Sequence, residues 1–118
     1  MKNIENLLKR GDYWGVPREV SRKIIERDTV CIYCLEKMSY GSSIGTPKNK
    51  ATIEHFSDDP DWYEEVDVGI CCGSCNSSKG NKKLSDWFKK DYCLNNNINE
   101  KTVTKPVKDY LKKMGENS

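Results

Sequence analysis

Histidine is nearly absent from this chain of 118 residues, with His55 its only instance. That scarcity excludes HExxH metalloproteases, zinc fingers with two Cys and two His ligands, and any hydrolytic centre built from several imidazoles. Apolar residues are also few, at 36% of the sequence, so the core is small and a staple of some kind is expected. No run approaches the roughly 18 apolar residues of a membrane span, so no membrane association is expected. The stretch Met1–Arg10 has no apolar segment followed by small residues, so it does not read as a secretory leader. The expectation is a single domain, residues 1–118, in a reducing cytoplasmic setting where thiols bind metal rather than pair as disulfides.

Charge, by contrast, is plentiful and unevenly placed. The total is only +2, yet residues 1–53 carry 10 basic and 6 acidic groups, residues 54–78 carry none and 7, and residues 79–118 carry 10 and 5. Basic flanks around an acidic centre suit a polyanion-binding protein, because Lys and Arg hold phosphate while central carboxylates hold a cation. The same pattern is also that of an ordinary solvated surface.

The chain reads as helices around a short β segment. Gly11-Asp-Tyr-Trp-Gly15 is rich in turn residues, and Pro17 suits a helix start, with Val20, Ile24 and Ile25 at helical spacing up to about Asp28. Thr29–Cys34 is β-prone, residues 41–50 read as an exposed loop, and Ala51–Phe56 reads as a strand. Beyond the acidic loop Ser57–Asp61, alternation of Val66, Val68 and Ile70 predicts a second strand. A short helix is expected to open at Asn76 and to break near Gly80. Another is expected to carry Leu84, Trp87, Phe88 and Tyr92 on one face. A last one carries Val107, Tyr110, Leu111 and Met114, and residues 115–118 are expected to fray. Trp87 and Phe88 read as core; Tyr13, Trp14 and Trp62 stand in polar or Gly-rich surroundings, where they either cover the core or stack on bases.

Among the six cysteines two short pairs stand out, Cys31-x2-Cys34 and Cys72-x2-Cys75. Each spacing lets a tight turn present two thiolates to one tetrahedral Zn2+. The 37 residues between the pairs add little closure entropy, because that cost grows only with the logarithm of loop length. Cys72 is preferred to its neighbour Cys71, which would leave three residues before Cys75 and which reads as a buried apolar position beside Ile70. Cys93 lacks a partner at such spacing and reads as a small buried hydrophobe.

With Cys31-Ile-Tyr-Cys34, Thr52-Ile-Glu-His55-Phe and Cys72-Gly-Ser-Cys75-Asn-Ser-Ser-Lys79-Gly in this order, the chain resembles the HNH endonucleases of the ββα-metal type, in the variants braced by a four-cysteine zinc site. The resemblance covers roughly residues 17–92 and includes the basic run Val16–Asp28 ahead of the first Cys pair. It implies an α+β fold: a small ββα-metal (His-Me finger) core with flanking helices, and residues 93–118 as a C-terminal helical extension. It further implies that Cys31, Cys34, Cys72 and Cys75 hold a structural Zn2+, that His55 is the general base, and that Glu54 and Asn76 hold a catalytic Mg2+ or Mn2+. Glu54 stands where the family usually has Asp, which leaves Asp58 and Asp59 as alternative carboxylates. Asp67 falls at the loop-bracing position, usually Asn.

The chemistry follows from the residue types. Neutral imidazole, with an ordinary pKa of about 6.5, accepts a proton from water near neutrality, while a hard cation on oxygen ligands polarises phosphate. Glu54 and His55 are neighbours on a strand and so cannot both point one way within it. Lys79, Lys82 and Lys83 are candidate phosphate contacts. The expected activity is that of a DNA endonuclease, of phage or restriction type, leaving 5′-phosphate and 3′-hydroxyl ends. One site per chain cuts one strand, so a double-strand break calls for a homodimer or two events. The alternative is a catalytically inactive zinc module that binds nucleic acid or a protein.

Overall fold

Two strands, β1 (Ala51–His55) and β2 (Val68–Cys72), pair antiparallel, with Ala51 opposite Cys72, Ile53 opposite Ile70 and His55 opposite Val68. The computed structural model describes residues 4–40, 47–56 and 64–115. Asp58, Asp59 and Trp62, most of the loop expected over 41–50, and residues 116–118 lie outside the described residues. Because side chains alternate across a strand, the two faces of this hairpin serve different cores, except at the end of β2, where both Cys71 and Cys72 belong to the second. Ala51, Ile53, Val68 and Ile70 join Leu7, Leu8, Val16, Ile24 and Ile25 in one cluster. Cys71 and Phe56 lie in a second, with Tyr33, Leu84, Trp87 and Tyr110.

Helices α1 (Glu5–Tyr13) and α2 (Arg18–Arg27) supply the first cluster. The second of these matches the Val20, Ile24, Ile25 pattern. The first departs from the expected turn at Gly11–Gly15, since Gly11 lies inside α1. A Cβ at Gly11 would stand 2.6 Å from Ser21 Oγ and 3.1 Å from the Ile53 side chain, so its bare Cα lets α1 close on α2 and β1. Behind α2, Arg27 grips Asp28 through Nε (2.8 Å) and Nη2 (2.9 Å), and buried Asp28 accepts the Ile70 N–H at 2.9 Å, which pins α2 to β2.

Four further elements differ from the expectation, two of them at the cysteine pairs. Thr29–Cys34 forms a turn instead of a strand, because closing the first pair, with Leu35 N–H donating to Cys31 O (3.0 Å), overrides its β propensity. Strand β2 begins at Val68, leaving Val66 exposed in a turn. Helix α3 (Gly73–Lys79) starts ahead of Asn76, with Cys72 at its N-cap accepting from Cys75 N–H at 3.5 Å. The helix expected around Trp87 divides into α4 (Leu84–Trp87) and α5 (Asp91–Asn95). The last, α6 (Lys105–Met114), buries Val107, Tyr110 and Leu111 and stops at Gly115 in the left-handed region (φ +73°), while Met114 is exposed. Among the described residues no helix is long and apolar enough to cross a membrane.

Candidate metal centre and adjoining cleft

The two knuckles converge. The sulfurs of Cys31, Cys34, Cys72 and Cys75 all lie within 4.8 Å of one another. Four thiolates about 2.3 Å from a single Zn2+ stand about 3.8 Å apart at the corners of a tetrahedron. Cys34 Sγ and Cys72 Sγ are 3.8 Å apart, a fit to a shared ion and far too long for a disulfide. The four cysteines could thus hold a structural zinc ion. Backbone amides already turn toward the sulfurs: Cys72 N–H donates to Cys31 Sγ at 3.3 Å. The neighbouring thiols lower Cys31, Cys34 foremost and then Cys72, while the same contacts raise Cys34 and Cys75, so a bound metal would have to displace the protons these thiols share. Tyr92 Oη lies 3.3 Å from Cys75 Sγ and donates to Ser74 Oγ at 2.9 Å, tying α5 to the centre. Cys71 faces the other way, with its sulfur 3.5 Å from Thr52 Oγ1, and Cys93 is buried in the core.

The first knuckle carries backbone strain. Leu35, immediately after Cys34, has φ +68° and a half-exposed side chain. This left-handed conformation costs an L-residue about 1–2 kcal/mol and costs glycine nothing steric. Leu35→Gly is expected to stabilise the folded protein by about 1 kcal/mol, the larger unfolded-state entropy of glycine taking back part of the relief. A urea titration of both proteins with zinc bound would reveal this as a higher midpoint at unchanged slope.

Strand alternation also separates Glu54 from His55, since both lie within β1. Glu54 is buried. Its Oε2 accepts from Tyr33 Oη at 2.8 Å and meets Lys79 Nζ at 3.5 Å. Tyr33 sits between Cys31 and Cys34 and packs edge-on against Trp87 with centroids 4.9 Å apart, so the first knuckle positions the carboxylate's partner. Lys79 corrects the sequence expectation: it is 2% exposed, and its ammonium serves Glu54 instead of facing solvent. Lys82 and Lys83 are exposed; Lys82 Nζ donates to Ser78 O (3.1 Å), and Lys83 occupies the N-cap position of α4 with no side-chain capping bond.

Burial outweighs the attraction of Lys79 and lifts the Glu54 carboxyl to about 7. The folded state therefore binds a proton that the unfolded chain has already released, so this group's contribution is full at low pH and lost as pH rises through about 7. Between pH 8 and pH 6, without added divalent cation, it is expected to raise stability by about 1 kcal/mol. Glu54→Gln should remove that part of the difference, as read from urea midpoints at the two pH values.

An open cleft of about 830 Å³ runs along the edge of β1 that β2 leaves free. Glu54, His55 and Asn76 all line it, and three cations, Arg10 of α1 with Lys48 and Lys50 ahead of β1, share its wall. No protein-family model, curated protein or solved structure matches the chain. Asn76 Nδ2 donates to Thr52 Oγ1 (2.9 Å) and Ile53 O (3.4 Å), which turns the amide oxygen away from the strand. A carboxylate and an amide oxygen on one cleft are the donors a hard cation takes, and Mg2+ needs few protein ligands because it keeps waters and binds substrate phosphate. Such a cation at Glu54 would join a carboxylate already paired with Lys79. Asp67 closes the turn into β2: Oδ2 accepts Glu64 N–H (3.1 Å), its carbonyl accepts Phe56 N–H (3.0 Å), and Lys113 Nζ lies 3.5 Å from Oδ1.

Reading from sequence missed Arg10, Lys48, Lys50 and Tyr33. A helical reading of Glu5–Tyr13 would have singled out Arg10, one turn before Trp14. Nothing in the spacing of Lys48 or Lys50 marks them.

Proposed function

We propose that the protein is a DNA endonuclease of the HNH type that hydrolyses phosphodiester bonds, leaving 5′-phosphate and 3′-hydroxyl ends. The observation that carries this reading is that His55, Glu54 and Asn76, drawn from β1 and α3, line one cleft walled by Arg10, Lys48 and Lys50. The three cations neutralise a strand's phosphates and fix its register without reading sequence. His55, placed on the strand face opposite Glu54, accepts the proton of the water that attacks phosphorus. Asn76 presents an amide oxygen, which carries no charge to repel the phosphate. When bound, a divalent cation on Glu54 and Asn76 would polarise the phosphate and stabilise the departing 3′ oxygen.

The Glu54–Lys79–Tyr33 network favours a second reading, a zinc module that binds DNA without cutting it, because the carboxylate is already satisfied. Supercoiled plasmid incubated with purified protein and Mg2+ or Mn2+ separates the two. The nuclease produces nicked circles that DNA ligase reseals, since the ends are 5′-phosphate and 3′-hydroxyl. Plasmid and a single-stranded DNA circle both left intact in both cations would decide for the binding module.

A further inference from the structure

The end of α1 carries two neighbouring aromatic side chains, Tyr13 and Trp14, that are 81% and 55% exposed. Among the described residues they are the only exposed aromatics. Their exposure removes them from both cores, although each ring could bury a large apolar area there. The backbone that carries them is nevertheless held in place. Trp14 N–H donates to Arg10 O and Gly11 O, each at 3.1 Å, and Val16 N–H returns to Gly11 O at 2.7 Å. The two rings meet edge to face at 5.2 Å, and the Trp14 ring lies 6.2 Å from the His55 imidazole. Trp14 belongs to the same cleft wall as Arg10, Lys48 and Lys50.

We propose that Trp14, buttressed edge to face by Tyr13, is a stacking platform for an unpaired DNA base at the mouth of this cleft, so that the preferred substrate is a single-stranded segment. A duplex hides its base faces in its own stack, whereas an unpaired base offers one to any accessible ring, whatever its sequence. A base on Trp14 brings its flanking phosphates to His55 and to the three cations. An aromatic face beside a basic wall is the arrangement by which proteins track single strands. The inference rests on the cleft being a DNA site and adds which form of DNA it takes.

The test measures binding by fluorescence anisotropy, using zinc-loaded full-length protein without divalent cation, on a labelled single-stranded oligonucleotide and on the matching blunt duplex. Wild type is expected to bind the single strand more tightly. Trp14→Ala should weaken single-strand binding by about 5- to 150-fold, the equivalent of about 1–3 kcal/mol, and leave duplex binding unchanged, with Trp14→Phe restoring most of the loss. Equal losses on both substrates, or none, would overturn the platform while leaving the cleft as a DNA site. Lys48→Ala with Lys50→Ala should weaken both substrates alike. If wild type binds neither DNA even at low salt, the platform and the nuclease reading fall together.

Discussion

Cys75→Ser protein, and wild type stripped of metal by a strong chelator, are expected to lose the cooperative fold. The second core is assembled on the cysteine centre: Cys31, Cys72 and Cys75 are themselves buried members of it, beside Tyr33, Trp87 and Leu84. Around that centre the elements are short. Helices α4 and α5 have four and five residues and reach the centre through Tyr92, through Trp87 Nε1 donating to Ser78 Oγ of α3 at 2.9 Å, and through the core. Structural Zn2+ contributes about 10–16 kcal/mol in zinc-finger peptides, against total domain stabilities of about 5–15 kcal/mol, so its removal exceeds what the remaining packing supplies. Removing one ligand also leaves three thiols within 4.8 Å of one another, with backbone N–H groups aimed at sulfurs that no longer carry full charge. The check is thermal unfolding by circular dichroism with zinc content measured on the same samples. One zinc per chain and loss of the transition in the chelated and Cys75→Ser proteins are expected. A metal-free protein that melts at the wild-type temperature would show the centre to be dispensable.

The cysteine pairs were the most legible part of the sequence, because ligand spacing is a local geometric requirement. Even the choice of Cys72 over Cys71 follows from spacing, and Cys71 indeed sits on the opposite strand face beside Thr52. The hairpin was legible from alternation at Val68 and Ile70, and α6 from the spacing of Val107, Tyr110 and Leu111. What escaped depended on distant partners. Gly11 reads as a turn residue until Ser21 and Ile53 approach it, and Thr29–Cys34 reads as a strand until the knuckle bends it. Lys79 reads as a surface lysine because its counter-ion comes from β1, 25 positions away in the chain, and local polarity cannot announce that pairing. Arg10 shares the fate of Gly11: once the N-terminal segment is taken for a turn, its cation has no assigned face.

The central claim rests on His55, the only imidazole in the chain, on the opposite face of β1 from Glu54 and lining the same cleft as Asn76 and three cations. A positioned general base supplies about 10²–10⁴ in rate, so His55→Ala should reduce cleavage by that factor. The ring sits at the strand's last residue and is only partly buried, so its truncation leaves both cores and the four cysteines in place. Nicking of supercoiled plasmid in Mg2+ or Mn2+ is therefore the most direct measurement, run with wild type and His55→Ala at equal zinc content. The predicted result is a nicking rate lower by about 10²–10⁴ in the variant with its zinc retained. Equal rates from the two proteins would contradict the assignment of His55 as the base.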